Sequence, residues 1–400
     1  MHQINDFEAE AAVLSSDPGR GLLAEVAGVA RAGPSDVARW RKAFGPEWVA
    51  AALRLVEGRR KGAAKFDRAD RMWLDPVGSE QATAEVVARH KARRFGGGGV
   101  VVDLCSGIGG DSLALAASSD VIAVDLDAGM ARRAAWNAGV YGVEGRVMAV
   151  RGRAEDFPIP AGARVHVDPD RRASGRGRAR EVRDYAPGLG ALLALAGSSR
   201  GGAIKLGPAS DFGAHFAGSG FEVELVSLAG ECKEATAWFG DLAGPGVRRR
   251  ATCLPVGATW TDRDGPTSPG AGAGPLGAFV FDPDPSLARA GLLDGFAAAH
   301  GLLRFAPGVD LLTGPGRVTS PFLATFGVVE VFPLDLKVLR REVAARGLGP
   351  LEIKTRGLEI RPEAYRAALR PAGPNPATWL LVAGRGEPGR AILARREVRH

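Results

Sequence analysis

Cysteine is scarce in this chain: three occur in 400 residues, at Cys105, Cys232 and Cys253. An odd number so widely spaced forms neither a disulfide framework nor a zinc pattern. No metal is expected. Lysine is also rare, because only eight of the 52 basic residues are lysine and the rest are arginine. With abundant alanine and glycine, that skew looks like the coding bias of a GC-rich genome. The net charge of +7 therefore carries little weight by itself, although it permits a polyanionic partner. Long apolar runs are missing: the closest, Leu189–Ala196, falls far short of the ~20 residues of a membrane span. The start, MHQINDFEAEAA, lacks the basic and apolar regions of a signal peptide. These absences lead us to expect a soluble, cytoplasmic protein with no membrane partner. The length suggests two or three domains.

What is present is organised around VVVDLCSGIGG, residues 100–110. A run of valines fits a parallel strand buried on both faces. Gly107, Gly109 and Gly110 allow a tight turn and a close approach of backbone to a ligand. Asp111-Ser112 opens a helix, and VIAVDLD then forms a second strand ending at Asp125. Strand, loop, helix and strand make one crossover unit. A dinucleotide fingerprint needs G-x-G-x-x-G, and serine stands at the third glycine position here. A carboxylate at the end of each strand fits a different ligand: the two oxygens of the second, Asp125, can accept hydrogen bonds from two ribose hydroxyls.

Asp103, the glycine loop and Asp125 together resemble the class I S-adenosylmethionine-dependent methyltransferases. The resemblance implies a Rossmann-like α/β sheet and S-adenosylmethionine as cofactor. It implies that Asp103, Cys105, Gly107, Gly109, Gly110, Asp125 and Leu126 line the cofactor site. Cys105 stands where the first loop glycine often stands, and a small thiol fits that space. The loop after a third strand, RVMAVRGRAEDF, flanks the adenine in such enzymes, so Glu155 or Asp156 could face it.

Residues 1–95 read as helical, with apolar residues at helical spacing and a helix start at Ser35-Asp36. The SEQAT segment, 79–83, resembles the lead-in of a bacterial methyltransferase family that carries a THUMP-like C-terminal domain. That resemblance makes Gln81 and Thr83 pocket candidates. A helix cap at Ser79 or Thr83 is the plainer alternative.

Arg164–Val167 reads as the fourth strand, and Asp168-Pro169 stands at its carboxyl end, where open α/β sheets place their chemistry. Enzymes that methylate exocyclic amines usually carry Asn or Asp, two prolines and an aromatic here. This chain has Asp168-Pro169-Asp170-Arg171-Arg172 instead. Six arginines fall in thirteen residues: Arg171, Arg172, Arg176, Arg178, Arg180 and Arg183. Such a cluster suits phosphate, and a solvated loop is the bland alternative. Asp168 would also hold bound cofactor and orient an acceptor. Lys205 ends the fifth strand. With Asp168, Glu231 or Glu234, and Lys91, it invites comparison with the Lys-Asp-Lys-Glu tetrad of ribose 2′-O-methyltransferases.

Residues 261–276 are Gly/Pro-rich and read as a linker between the methyltransferase domain, 96–260, and the C-terminal region. Residues 277–325 read as a small α+β, ferredoxin-like unit. Residues 326–400 resemble the THUMP-like domain of the same family, with its K-x-R-G segment at Lys354, Thr355, Arg356 and Gly357. THUMP domains grip structured RNA, so the resemblance implies an RNA partner, tRNA or rRNA, with Lys354 and Arg356 as phosphate contacts alongside Arg171 and Arg172. The expectation is an RNA methyltransferase with Asp168 and Lys205 at its catalytic edge. A protein or small-molecule acceptor and a non-catalytic RNA-binding module remain as alternatives.

Overall fold

The computed structural model describes residues 6–171, 181–216, 218, 220–266, 272–384 and 388–397. The chain divides into two compact units, 1–221 with 236–244, and 222–235 with 245–400.

The first unit opens with helices α1 (Asp6–Ser15), α2 (Asp17–Gly28), α3 (Pro34–Phe44) and α4 (Pro46–Gly62). Helix α3 starts one residue before the expected Ser35, because Pro34 supplies a preset first position and Asp36 accepts from the Gly33 amide at 3.1 Å. The four helices enclose a core of Val13, Leu22, Trp40, Val49, Leu55 and Trp73. Helices α5 (Pro76–Gln81) and α6 (Glu85–Phe95) lead to the sheet. Asp75, not Ser79 or Thr83, caps α5, accepting from the Val77 and Gly78 amides.

Strands β1 (Val100–Leu104), β2 (Asp120–Asp125), β3 (Val147–Arg151), β4 (Arg164–Val167) and β5 (Gly201–Leu206) lie parallel in the order β3-β2-β1-β4-β5. Helix α7 (Gly110–Leu115) joins β1 to β2, and α8 (Ala128–Tyr141) joins β2 to β3. Helix α9 (Leu189–Ser198) precedes β5, and α10 (Phe212–His215) comes after it. Parallel pairing puts the carboxyl ends of all five strands at one edge, so Asp125 and Asp168 meet there.

In the second unit, β6 (Phe221–Leu228) pairs in parallel with β8 (Arg249–Leu254), and β8 pairs antiparallel with β9 (Ala258–Thr261). β7 (Glu231–Gly240) starts in this unit and ends in the first. The β8–β9 hairpin goes beyond the strands expected from the sequence. A second sheet has the order β11-β12-β10-β13-β16-β15-β14. Its strands are β10 (Phe279–Pro283), β11 (Leu303–Arg304), β12 (Leu312–Gly314), β13 (Leu323–Pro333), β14 (Leu348–Arg356), β15 (Asn375–Val382) and β16 (Arg390–Arg396). Helices α11 (Pro285–Arg289) and α12 (Leu293–Ala299) come after β10. On one face, α13 (Leu336–Ala345) and α14 (Pro362–Leu369) bury Leu339, Val343 and Leu369 against Trp379, Leu381 and Leu393. The boundary read at 325/326 falls inside β13, so residues 277–325 and 326–400 share one sheet.

Glu10 ties the N-terminal helices to the sheet layer. It is buried and accepts from Trp73 Nε1 at 2.8 Å, Arg133 Nη2 at 2.6 Å and Arg54 Nε at 3.1 Å. Arg133 belongs to α8, the helix just beyond Asp125. Removing the carboxylate leaves the buried Arg133 guanidinium with only the more distant Asp75, at 3.7 Å, among the carboxylates of the described residues. That is costly because the charge loses its nearest partner without regaining water. Glu10→Ala should lower unfolding stability by about 3 kcal/mol in a urea titration, more than an exposed Glu57→Ala control.

Candidate functional site

The turn after β1 is built on positive φ angles: 59° at Cys105, 54° at Gly107 and 88° at Gly109. The Ser106 amide donates to Val124 O at 3.0 Å, and the Gly109 amide to Ser106 O at 2.9 Å. A Cβ on Gly109 would stand 3.1 Å from Ala134, so glycine lets the loop lie against α8. At Gly107 a Cβ would meet nothing within 4 Å, so this part of the loop faces open space.

Asp125 closes the turn from β2. Its Oδ2 accepts from the Gly107 amide at 2.8 Å and its Oδ1 from the Asp127 amide at 2.9 Å. Burial raises its pKa, and the two backbone donors oppose that. Each oxygen keeps one acceptor site, enough for two vicinal hydroxyls. Asp127 is occupied as the α8 cap, bonding the Gly129 and Met130 amides. Ser106 Oγ is buried without a hydrogen-bond partner among the described residues. An orphaned hydroxyl, an open glycine and a carboxylate with spare acceptor sites fit a nucleoside with a polar tail.

Cys105 has its thiol pKa pushed far up by burial first, then by Asp125, Asp168, Asp103 and Glu155. The fold thus brings four carboxylates from four segments around one loop. A thiol so placed stays protonated and is no nucleophile. Leu126 is exposed beside this turn, and Glu155 lies near Arg153 at 3.8 Å. Gln81 is exposed at the end of α5.

At the carboxyl end of β4 the Asp168 amide donates to Leu104 O at 3.1 Å. Asp168 Oδ2 accepts from Lys205 Nζ at 2.6 Å. Its other oxygen takes no hydrogen bond among the described residues. The chain then returns on itself: Asp170 and Ala186 exchange backbone hydrogen bonds of 2.8 and 3.0 Å. This brings Tyr185 to the edge, where its hydroxyl accepts from the Gly207 amide at 3.2 Å and pairs with Ser210. Sequence reasoning missed Tyr185. Its one available signal was its place in a chain with three tyrosines, just beyond the arginine run. Arg171 reaches Gly207, where an added Cβ would stand 2.7 Å from its Nη1. Arg172, Arg176, Arg178 and Arg180 lie outside the described residues.

Beneath the loop sits a cluster of buried ionisable groups. Lys91 Nζ lies 2.9 Å from Asp111 Oδ1, and Thr83 Oγ1 donates to Asp111 Oδ2 at 2.7 Å. His166 Nδ1 lies 2.7 Å from Asp103 Oδ1, and Ser112 Oγ donates to Asp103 Oδ2. His166 Nε2 is 3.4 Å from Lys91 Nζ and 4.0 Å from Asp111 Oδ2. Lys91, Asp103, Ser112 and His166 are each 1% exposed, so they lie below the surface of the cleft. Lys91 therefore does not stand where a tetrad lysine would. Glu231 is exposed and pairs with Lys233 at 2.5 Å, whereas Glu234 is buried.

In the second unit, Lys354 Nζ lies 2.8 Å from Asp282 Oδ2, and Arg356 pairs with Asp282 Oδ1. Both cations read as phosphate contacts thus share one nearly buried carboxylate. Among the described residues no group of three His, Cys, Asp or Glu is arranged to hold a metal, and no helix is long and apolar enough to cross a membrane.

The family described as RNA cap guanine-N2 methyltransferase matches residues 98–179, and the THUMP domain-like family matches 323–396. An uncharacterized S-adenosylmethionine-dependent methyltransferase of Mycobacterium tuberculosis is 37% identical over 312 residues, covering 76% of this chain and 82% of the relative. The same relative occurs in a second strain of that species with the same figures. A crystal structure described as a methyltransferase, from Porphyromonas gingivalis W83, superposes with a TM-score of 0.76 at 20% identity, covering 94% of this chain and 98% of the other. The chain belongs to the S-adenosylmethionine-dependent methyltransferases. It is a class I enzyme of the family with a C-terminal THUMP-like domain, and S-adenosylmethionine is its cofactor.

The strained turn and the buried cluster each lead to a measurable outcome. A non-glycine residue in the left-handed region costs about 1 kcal/mol, so Cys105→Gly should raise stability by roughly that much and leave cofactor affinity within threefold. Chemical denaturation and calorimetry check both parts. The buried cluster sets the pH dependence of stability. Burial pushes Asp111 up, but Lys91, His166 and Lys205 more than offset it and hold its pKa well below the ordinary range. Its contribution is full above the unfolded value and is lost as pH falls through the folded one. Burial pushes His166 down, but Asp111 and Asp103 outweigh that against the opposing Lys91, so its pKa is raised. Its contribution is full below about pH 6.5, the unfolded value, and is lost as pH rises through the folded one. The stability gap between wild type and His166→Gln should therefore be widest near pH 6 and narrow toward pH 9 in thermal scans.

Proposed function

We propose that this methyltransferase acts on RNA and transfers the methyl group to an exocyclic base amine, with guanine N2 as the favoured acceptor. The observation that carries the reading is the Asp168–Lys205 pair at the carboxyl end of β4, beside the glycine loop. Lys205 fixes one oxygen of Asp168. The other is available to accept an N–H from an amine, leaving the nitrogen lone pair free to point at the donor. Bound S-adenosylmethionine supplies an electrophilic methyl group. Positioning can account for much of the rate, since the transfer chiefly needs in-line approach. The same carboxylate can take the proton that the methylated amine releases. The match to a guanine-N2 family over 98–179 supports this acceptor, and the THUMP-like region supports RNA. Ribose 2′-O transfer by a lysine tetrad is disfavoured because Lys91 is buried on Asp111.

Residues Cys105, Ser106, Gly107, Gly109, Gly110, Asp125, Leu126 and Glu155 are proposed to surround the cofactor, and Arg171 to meet phosphate. Asp103, expected to line the site, is instead buried on His166 and Ser112 and supports the loop from beneath. Thr83 acts through Asp111. Lys354 and Arg356 are weaker phosphate candidates, because Asp282 already neutralises part of their charge.

The test is transfer of radiolabelled methyl to total RNA from a strain lacking the protein, with subsequent digestion to nucleosides. The expected product is a methylated base, and Asp168→Ala should lose at least ~100-fold in kcat at saturating S-adenosylmethionine. Label on ribose would overturn the amine assignment. No label in RNA, with cofactor binding intact, would overturn the RNA assignment in favour of a protein or small-molecule acceptor, or of a non-catalytic binder.

A further inference from the structure

The buried groups beneath the loop close on themselves. Asp111 and Ser112 are consecutive residues in the first turn of α7, the helix that leaves the cofactor loop. From Asp111 the contacts run to His166 on β4, flanked by Lys91 on α6, then to Asp103 on β1, and back through Ser112 to α7. Thr83 hangs the lead-in segment on the same carboxylate of Asp111. Four elements are thus joined at one helix turn, and His166 approaches both carboxylates, Asp103 at 2.7 Å and Asp111 at 4.0 Å.

We infer that His166 is a positioning residue for the methyl donor: it holds the first turn of α7, and with it the loop 105–109, in the geometry that binds S-adenosylmethionine. Its side chain does not face the cofactor. It acts through Asp103 and Asp111, whose place fixes where the loop amides and the Ser106 hydroxyl point. The physical basis is that a buried charge is tolerated only when its partners are in place together. Loss of one member frees the others to move, and the loop geometry degrades before the fold does. The inference concerns cofactor affinity and holds whatever the acceptor is.

The test uses the full chain and S-adenosylhomocysteine as probe, by calorimetry at pH 7, at least 10 °C below each variant's melting temperature. His166→Leu should weaken binding at least tenfold. His166→Asn keeps an amide near the Nδ1 position to meet Asp103, and should recover most of that loss. In turnover assays KM for S-adenosylmethionine should rise while kcat at saturation changes less than threefold. A lower melting temperature with unchanged affinity would reduce His166 to a purely structural role and overturn the inference. Should the variants fail to fold, hydrogen exchange on wild type decides. The amides of Leu113–Leu115, the first of which donates to Gly109 O at the end of the loop, should exchange among the slowest of the unit, and slower still with the probe bound. Exchange as fast as in the exposed first turn of α3 would overturn it.

Discussion

Charge that has been taken out of water dictates how the sheet layer assembles. Lys91, Asp103, Asp111 and His166 arrive from a helix, a strand, another helix and another strand, and all lie buried together. Any one of them alone at that depth would be strongly destabilising. Only when β1 pairs with β4 in the register that sets Asp103 beside His166, and α6 and α7 pack above, do all four find partners. A one-residue slip between β1 and β4 would turn one side chain to the opposite face. The register that satisfies these charges also aligns the ends of β1 and β4, and so fixes where the glycine loop stands relative to Asp168.

The glycine loop was legible in the sequence because it is local: Asp103, the glycines and Asp125 span one crossover unit. The role of Asp103 was not, because His166 comes from a distant strand to meet it beneath the loop. β4 was legible for the same reason, down to its ends at Arg164 and Val167. The partners of Lys91 and Thr83 were not, since both converge on Asp111 only in three dimensions. Even so, one signal was available. Val87, Ala88, Ala92 and Phe95 form the apolar stripe of α6, and Lys91 falls on it. A lysine on that stripe points to a buried ion pair rather than to an open cleft. Tyr185 was hidden because the arginine-rich insertion separates it from Asp168 in sequence, and only the Asp170–Ala186 bridge brings it back.

The second unit obeys the same constraint with different chemistry. In its sheet, β13, β16 and β15 stand between β10 and β14. Asp282 on β10 nevertheless bridges Lys354 and Arg356 on β14. A flat sheet could not bring these strands together, because three intervening strands would hold them roughly 19 Å apart. The sheet must coil strongly, as twist allows, and the ion pairs close it across the core of Val280, Phe326, Leu380 and Ile392. The K-x-R-G segment thus has a structural reason to exist. Gly357 ends it at φ 69°, where a Cβ would stand 2.2 Å from Ala383 O. Basic residues identified by family pattern alone were not distinguishable from basic residues that shape the sheet.

The N-terminal helices serve the same end as the buried charges under the loop. Glu10 on α1 takes Arg133 from α8, and Phe7 stacks on Trp73 at 4.5 Å. Arg133 also approaches Asp75, the cap of α5, at 3.7 Å. Helix α8 begins at the Asp127 cap, two residues beyond Asp125. The loop is therefore braced from two sides, by the buried charges under α7 and by the helical region against α8. Asp125 lies between these braces, with its two oxygens already oriented by backbone amides. Its readiness for a pair of hydroxyls is a consequence of that bracing. A carboxylate free to rotate would have to lose that freedom on binding, and here the fold has removed it beforehand.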